Sequence, residues 1–230
     1  MSIKIPYDTV RETIKQAFLN AGLTEKQAET CAVIHAQSSA DGVESHGLNR
    51  VPRFVDYVRR GLIDPKGSPE LVRARGAVEN YDGHLGIGIT NALFCADRAM
   101  ELAKEHGIGC VALKNTSHWM RGGTYAWRMA EAGFLGISWI NTESCMPLWG
   151  SDQPGVGNNP FCIGIPREDG PIVLDMAMSQ YAYGKLGVYR LAGKQLPYPG
   201  GFDSQGNLTT DPGAIEESRR ILPTGYWKGS

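Results

Sequence analysis

The stretch Glu44-Ser45-His46-Gly47-Leu48-Asn49-Arg50 contains a histidine and an arginine four residues apart. On an α-helix, a spacing of four places two side chains on the same face. An arginine can hold a carboxylate with two parallel hydrogen bonds, and a histidine can give a proton to a neighbouring oxygen. The pattern suits a site for a small oxo acid between His46 and Arg50, but these seven residues alone agree at least as well with a capped helix start that carries a surface arginine.

Helical periodicity extends on both sides of this stretch. Apolar residues recur at helical spacing over residues 9–20, 24–39 and 46–60. Thr24 and Gln27 form a capping-box pattern, in which a hydroxyl and an amide satisfy the free backbone groups at a helix start. The first part of the chain is therefore predicted to consist of three helices.

Beyond a linker at residues 65–69, short apolar strands alternate with helical patterns. We predict strands over residues 71–75, 77–81, 108–113, 134–140, 161–166 and 171–176, helices over 89–106, 124–132 and 181–193, and mostly loop over 197–212. The fold class is therefore predicted to be α/β, with a helical domain over residues 1–70 and an α/β domain over residues 71–230.

Composition limits the partners and the compartment. Apolar residues make up 42% of the 230 residues and the net charge is -1, so no basic surface for nucleic acid is expected. No apolar run is long enough to span a bilayer, and the N-terminus lacks the apolar core of a signal peptide. The five cysteines are odd in number and form no CxxC pair, which predicts reduced thiols in the cytoplasm and no zinc site.

The glycines do not form a familiar nucleotide-binding loop. The chain has 29 glycines, but G-x-G-x-x-G does not occur, so a nucleotide would have to bind on a non-Rossmann surface. The hydrolase motif G-x-S-x-G and the metal motif H-E-x-x-H do not occur either. Adjacent residues on an α-helix point in different directions, so Ser45 and His46 are not expected to face each other.

Four residues have chemistry that suits reduction of a ketone. The reaction produces an alkoxide, which a histidine such as His46 with an ordinary pKa of about 6.5 can protonate at neutral pH. Asp175 follows the apolar strand Ile172-Val173-Leu174, so its charge requires a partner unless it is a turn or cap residue. Arg50 offers a fork for a carboxylate. His118 also follows an apolar strand, and either lines a ligand site or is a satisfied core histidine.

Six motifs, in this order, resemble those of the type-2 malate/L-lactate dehydrogenase family, whose members are NAD(P)H-dependent reductases unrelated to Rossmann-type lactate dehydrogenases. The motifs are Ser45-His46-Gly47 with Arg50, residues 115–123 (NTSHWMRGG), 157–160 (GNNP), 173–177 (VLDMA) with Tyr183-Gly184-Lys185, 206–212 (GNLTTDP) and 226–230 (YWKGS). The resemblance covers the whole chain. It implies a helical N-terminal domain, a larger α/β domain that binds the cofactor without a Rossmann unit, and a homodimer with active sites near the interface.

The resemblance also implies roles for individual residues. His46 matches the proton donor of the family, and Asp175 is implied as the partner that orients it and favours its charged form. The residues implied to bind substrate are Ser45, Arg50, His118, Arg121 and Asn158. The residues implied to bind the cofactor, NADH with NADPH as the alternative, are Pro171, Ile172, Val173, Leu174, Asp175, Met176, Ala177, Trp227 and Lys228. No metal is implied.

The implied reaction is reduction of a 2-oxo acid. Residues 118–123, 190–193 and 219–223 resemble the subgroup that acts on 2,3-diketo-L-gulonate, which is therefore the expected substrate. Arg121 stands where the wider family mostly has a small residue, so we expect it to select this acid, with a solvated arginine as the alternative. Asn158 stands where relatives commonly have Thr, and a change of substrate fit is expected there. Malate, lactate or ureidoglycolate chemistry of the same family remains the alternative reaction.

The chain ends inside a family motif, at Lys228-Gly229-Ser230. Family members continue with a segment that returns to the helical domain and adds cofactor contacts, so the resemblance leads us to expect a longer native chain. The non-enzyme alternative is an inactive fragment that keeps only the fold.

Overall fold

A computed structural model describes residues 4–225 of the chain. Helices in this part are α1 (Tyr7–Leu19), α2 (Glu25–Ala40), α3 (Val51–Arg59), α4 (Gly88–His106), α5 (Gly123–Glu131), α6 (Tyr183–Leu191) and α7 (Pro212–Ser218). The strands are β1 (Glu70–Arg75), β2 (Val78–Gly86), β3 (Cys110–Thr116), β4 (Gly136–Trp139), β5 (Ser144–Pro147), β6 (Pro154–Gly157), β7 (Phe161–Ile165), β8 (Ile172–Met176), β9 (Gly201–Phe202) and β10 (Leu208–Thr209). The predicted α/β class is confirmed.

The first three helices enclose an apolar core, as their periodicity predicts. Ile14 and Phe18 of α1 are almost completely buried and pack in one cluster with Phe54 of α3. The predicted capping box at the start of α2 is present, because Gln27 N–H donates to Thr24 Oγ and the Gln27 side chain accepts from Thr24 N–H at 2.9 Å. These contacts place the end of α2 and the start of α3 side by side.

The same core continues beyond the helical layer. Ile87 and Ile89 at the start of α4, and Met120 in the loop after β3, belong to the cluster that α1 to α3 enclose. The domain boundary between residues 70 and 71 stays a prediction, and apolar packing is continuous across it. This packing fixes the loop after β3 against the N-terminal helices.

One buried histidine belongs to this core. His35 on α2 is completely buried between Phe18 and Phe54, and its Nδ1–H donates to the Cys31 carbonyl oxygen at 2.7 Å. Its Nε2 is among the buried side-chain atoms without a partner in the part of the chain that the structure describes. Burial is the main cause that lowers the pKa of His35 to about 4. His35 is therefore neutral at physiological pH.

Two three-stranded sheets follow the helical layer. In the first, β1 pairs antiparallel with β2, and β2 pairs parallel with β3 across the α4 crossover. In the second, the order is β4-β7-β8 with all pairs antiparallel. Helix α5 packs so closely on one face of this second sheet that a Cβ on Gly164 would lie 2.2 Å from the Ala126 carbonyl oxygen. The opposite face is open: Trp139 is 67% exposed and Leu174 is also exposed.

Three sequence predictions differ from the structure. The predicted helix over residues 46–60 is two 3-10 turns, Glu44–His46 and Leu48–Arg50, followed by α3. The β5–β6 hairpin and helix α7 lie in segments for which no regular structure was predicted. The remaining predicted helices and strands are confirmed, with bounds shifted by a few residues.

The described helices also bear on membrane association. Each helix within residues 4–225 is too short or too polar to cross a bilayer.

Candidate active site

The Ser45–Arg50 segment is shaped by a close contact with α2. Gly47 separates the two 3-10 turns with an extended backbone, φ -108° and ψ -134°. A Cβ on Gly47 would lie 2.1 Å from Ser39 Oγ, and that hydroxyl accepts the Leu48 N–H at 2.8 Å. The expectation that His46 and Arg50 share one face of an α-helix is therefore wrong, because the segment does not form an α-helix.

His46 has a hydrogen-bond partner next to it in the chain. Its Nδ1 lies 2.9 Å from Ser45 Oγ, so the expectation that these neighbours do not face each other is also wrong. Burial and the positive charge of Arg50 are the two largest causes that lower the pKa of His46 to about 4. Arg121 adds to the decrease, whereas the Asp175 carboxylate opposes it. His46 therefore does not have the ordinary pKa that the sequence suggested.

Arg50 is a partly buried cation held by backbone. Its Nε donates to the Ser45 carbonyl oxygen at 2.8 Å. Gly184 at the start of α6 lies so close that a Cβ there would be 2.8 Å from Nη2 of Arg50. Among residues 4–225, no carboxylate is within ion-pair distance of Arg50. Within the described residues, Arg50 is therefore bound by a backbone carbonyl oxygen and by no carboxylate.

His118 faces His46 from the loop after β3. The two ring centroids are 5.7 Å apart with an interplanar angle of 35°. Met120 N–H donates to Nδ1 of His118 at 2.9 Å, so the neutral ring carries its proton on Nε2. The residue is accessible, so the alternative of a satisfied core histidine does not hold. Partial loss of hydration and the charge of Arg50 lower the pKa of His118.

The loop that carries His118 is set by backbone contacts. A Cβ on Gly88 would lie 2.2 Å from the Ser117 carbonyl oxygen, and the Gly88 N–H donates to Ser117 Oγ at 2.8 Å. Met120 has a positive φ of 68°, which is unusual for a residue with a branched or long side chain. Contacts with the start of α4 thus hold the loop in place, and in this loop conformation the His118 ring faces His46.

Asp175 lies on β8 and has two described partners. Its Oδ1 accepts from Cys162 Sγ at 3.2 Å, and its Oδ2 lies 3.6 Å from Nε of Arg121. A Cβ on Gly123 would be 2.6 Å from Oδ2, so a glycine is needed beside the carboxylate. Within the described residues, His46 has no hydrogen bond with Asp175, and the influence of Asp175 on it is electrostatic. The direct pairing that the resemblance implied is not seen.

Arg121 is held by two carboxylates. Its Nη1 lies 2.5 Å from Oδ2 of Asp41, which directly follows α2, and its Nε faces Asp175. The guanidinium carbon lies 4.8 Å from the centre of the Trp127 ring. The side chain is only 15% exposed, so the alternative of a solvated arginine does not hold. Asp41 was not predicted as a site residue: it lies 80 positions from Arg121 and no local pattern marks it.

Asn158 lies on the loop between β6 and β7. Its Oδ1 accepts from Thr142 Oγ1 at 2.7 Å, and its carbonyl oxygen accepts the Met178 N–H at 2.8 Å. An open cavity of about 380 Å³ adjoins this loop. The cavity is lined by Trp139, Ile140, Asn141, Asn159, Phe161 and Met178. The structure therefore places Asn158 beside an apolar cavity, with its side chain already bound to Thr142.

The residues implied to bind the cofactor follow β8. Cys162 pairs in register with Asp175 and Gly164 with Val173, so these two β8 residues face α5, whereas Ile172, Leu174 and Met176 point to the open face. An exposed apolar strip of this kind suits a flat ring system, so the residues present fit a nicotinamide cofactor. Pro171 and Ala177 border the strand, and Trp227 and Lys228 lie outside the described residues.

A metal centre is not formed by the part of the chain that the structure describes. In residues 4–225, no group of three or more His, Cys, Asp or Glu side chains is arranged to hold a metal ion. The charged side chains described at the site are Arg50, Arg121, Asp41 and Asp175, and the two histidines are neutral.

Solved structures that share this fold are those of dehydrogenases and reductases. Malate dehydrogenase from Entamoeba histolytica has a TM-score of 0.94 and 27% identity, over 99% of this chain and 65% of that chain. Delta1-piperideine-2-carboxylate reductase from Pseudomonas syringae has a TM-score of 0.90 and 26% identity, over 98% and 68% of the two chains. The fold and the site thus define a dehydrogenase class outside the Rossmann type.

The chain belongs to the malate/L-lactate dehydrogenase family, whose model matches residues 5–230. The family predicted from the six motifs is confirmed. Among curated proteins, 2,3-diketo-L-gulonate reductase from Klebsiella pneumoniae is 47% identical over 229 residues. That match covers 99% of this chain and 68% of the relative, so the chain spans about two thirds of the length of the proteins it matches.

Proposed function

We propose that this chain carries the active site of a nicotinamide-dependent reductase of a 2-oxo acid, with 2,3-diketo-L-gulonate as the substrate and NADH as the reductant. The observation that carries the proposal is Arg50, a partly buried cation beside His46 without a carboxylate partner among the described residues. A charge in such a place requires a counter-ion, and a substrate carboxylate provides one. The identity of 47% to a 2,3-diketo-L-gulonate reductase supports the choice of acid.

Arg50 and His46 have different roles toward the substrate: Arg50 binds it and His46 protonates it. A bound reduced nicotinamide supplies a hydride to the carbonyl carbon. Arg50 binds the carboxylate, and His46 gives a proton from Nε2 to the carbonyl oxygen while Ser45 Oγ holds its Nδ1. Because the charge of Arg50 lowers the pKa of His46, a carboxylate bound to Arg50 offsets that charge and raises the proton affinity of His46. Substrate binding thus prepares its own proton donor.

His118 provides a second donor for the same oxygen. Met120 N–H occupies Nδ1, so the proton of the neutral ring is on Nε2. A neutral donor fixed in place can stabilise negative charge that develops on a carbonyl oxygen during reduction. Its ring lies 5.7 Å from that of His46, close enough for both to reach one substrate.

The experiment that tests the proposal is an assay of NADH and NADPH oxidation with a panel of acids. 2,3-Diketo-L-gulonate is expected to give the highest kcat/KM, ahead of pyruvate and oxaloacetate, and NADH is expected to be preferred. Oxaloacetate belongs in the panel because a malate dehydrogenase is among the solved structures that share the fold. A higher kcat/KM for oxaloacetate than for 2,3-diketo-L-gulonate would show that the chain is a malate dehydrogenase. A folded chain without turnover on any acid would favour the inactive alternative.

We also propose a homodimer. At the β4 edge, the open face of the β4-β7-β8 sheet exposes Ile137 and Trp139, and β7 separates them from the β8 strip that we assign to the cofactor. Exposed apolar side chains of this kind favour association. Light scattering after gel filtration should give twice the mass of one chain. A monomer over the whole accessible concentration range would contradict the dimer without affecting the assignment of the active-site residues.

A further inference from the structure

Arg121 is placed unequally between two carboxylates. Its Nη1 lies 2.5 Å from Asp41, whereas its Nε lies 3.6 Å from Asp175. Trp127 supports the guanidinium plane, with 4.8 Å between the guanidinium carbon and the ring centre. The arginine is therefore held on the side of Asp41, and its pairing with Asp175 is loose.

The long distance between Arg121 and Asp175 affects the protonation of His46. The charged groups that face His46 are Arg50 from the start of α3, Arg121 from the loop after β3 and Asp175 from β8. His118 faces it from the same loop as Arg121, and α6 approaches the neighbouring Ser45 and Arg50 with the uncharged Gly184. Among these described groups Asp175 is the one that favours the protonated imidazole, and a tight Arg121–Asp175 pair would cancel its charge.

We propose that Asp41 is a positioning residue that draws Arg121 away from Asp175, so that the Asp175 carboxylate remains available to stabilise protonated His46. The inference rests on the proposed role of His46 as proton donor. It gives Arg121 an indirect function, because the arginine then acts through the carboxylate that it leaves uncovered. It also connects the end of α2 with β8 across the site.

The test is a pH titration of His46 in an isotope-labelled chain, in which NMR signals of the imidazole report its protonation. Asp41→Asn keeps the shape of the side chain but removes the charge that holds Arg121, which then moves onto Asp175. The pKa of His46 is expected to fall by roughly half a unit. Arg121→Gln uncovers Asp175 completely and is expected to raise it. Removal of the two opposite charges by itself also gives shifts of opposite sign, so the positioning role is tested by comparing Asp41→Asn with and without the Asp175 carboxylate.

Three controls isolate the route of the effect. Asp97→Asn releases Arg128 on the outer surface in the same way, since these two side chains form a bidentate pair at 2.6 and 2.8 Å, and it should leave His46 unchanged. Asp41→Glu restores the charge and should restore the titration. In an Asp175→Asn background, Asp41→Asn should lose most of its effect, because the carboxylate that Arg121 covers is gone.

The outcomes separate this inference from the proposed function. An unchanged or raised pKa of His46 in Asp41→Asn would overturn it, and so would an equal shift in the Asp175→Asn background. A fall in Asp41→Asn that is largely lost in the Asp175→Asn background would support it even if the chain reduced none of the acids, in which case only the proposed function would fail. If the chain is active, the pH profile of kcat/KM should shift in the same direction as the titration.

Discussion

Arg50 and Arg121 both lower the pKa of His46 through their charge, but they differ in their counter-ions. Arg121 is bound by Asp41 and Asp175, and its side chain rests on an indole ring. Arg50 is bound by a backbone carbonyl oxygen, and no carboxylate of the described chain reaches it. The difference supports our proposal that Arg121 is a structural cation, whereas Arg50 binds the substrate carboxylate.

The unpaired charge of Arg50 also affects its surroundings. It contributes to the lowered pKa of His35, His46 and His118, so three neighbouring imidazoles are kept neutral partly by one guanidinium. Among these three, the charge of Arg121 is a cause for His46 alone. A carboxylate bound to Arg50 would therefore raise the pKa of all three histidines. A carboxylate bound to Arg121 would be expected to raise the pKa of His46 alone.

The largest effect is expected for the histidine between the two arginines. His46→Ala should lower kcat by ~10²–10⁴-fold, because it removes the proton donor, with a small change in cofactor affinity. His106→Ala, which changes a surface histidine at the end of α4, is the matched control. Steady-state kinetics with 2,3-diketo-L-gulonate check the prediction. Near-normal kcat at neutral pH in His46→Ala would sink the assignment.

Removal of the unpaired arginine should act mainly on substrate binding. Arg50→Ala should raise KM for the 2-oxo acid by roughly 30-fold or more, because loss of a buried charged contact costs ~2–5 kcal/mol. KM for NADH should change little. Arg53→Ala removes a nearby exposed arginine that lies over Tyr57 and serves as the control. An unchanged substrate KM in Arg50→Ala would show that the carboxylate binds elsewhere and would end the contrast with Arg121.

Acid should destabilise the fold through the neutral histidines. The pKa of His35 is about 4 in the folded chain and has its ordinary value of 6.5 in the unfolded chain. As the pH falls from 6.5 to 4, His35 is therefore protonated in the unfolded chain but not in the folded chain, which lowers the free energy of unfolding. For this fully buried group the loss is roughly 3 kcal/mol over that range. In urea unfolding at several pH values, His35→Leu should show a dependence weaker by about 1.4 kcal/mol per pH unit. Equal slopes for the two proteins would show that His35 is not kept neutral.

The smallest effect is expected for the paired arginine. Arg121→Ala should lower the free energy of unfolding by about 1 kcal/mol, because it leaves Asp41 and Asp175 without their shared partner. It should also lower kcat/KM for 2,3-diketo-L-gulonate more than for pyruvate or oxaloacetate, as its unusual place in the family motif suggests. Thermal unfolding and the acid panel measure the two effects. Equal kinetic losses on all three acids would indicate a purely structural arginine.

The sequence predicted the regular parts of the fold because their signals are local. The helices α1, α2 and α4 follow from apolar periodicity, and the capping box at Thr24 is formed by residues three apart. The β5–β6 hairpin gave no such signal, since each strand has four residues and contains a proline. Helix α7 had a usable one: Asp211 caps it and Pro212 is its first residue, but the surrounding glycines and prolines favoured a loop.

The site was less predictable than the fold, because its geometry depends on distant contacts. His46 and Arg50 were found as residue types, but their relative placement was wrong because Gly47 packs on Ser39 and prevents an α-helix. The lowered pKa of His46 comes from burial and from Arg50, which no spacing in the sequence reports. The roles of the implied site residues stay predictions until the variants are measured.

Gly184 limits how this protein can change by mutation. Any larger residue there would push into Nη2 of Arg50 at 2.8 Å and Cβ of Ser45 at 3.1 Å. A library randomised at this position and selected for turnover is expected to favour glycine, because a larger residue would displace the guanidinium of Arg50. The Asp41 side chain is 36% exposed, so we expect substitutions there to meet less steric resistance. Directed evolution toward new acids is therefore expected to alter the surroundings of Arg121 repeatedly while the neighbours of Arg50 stay constant.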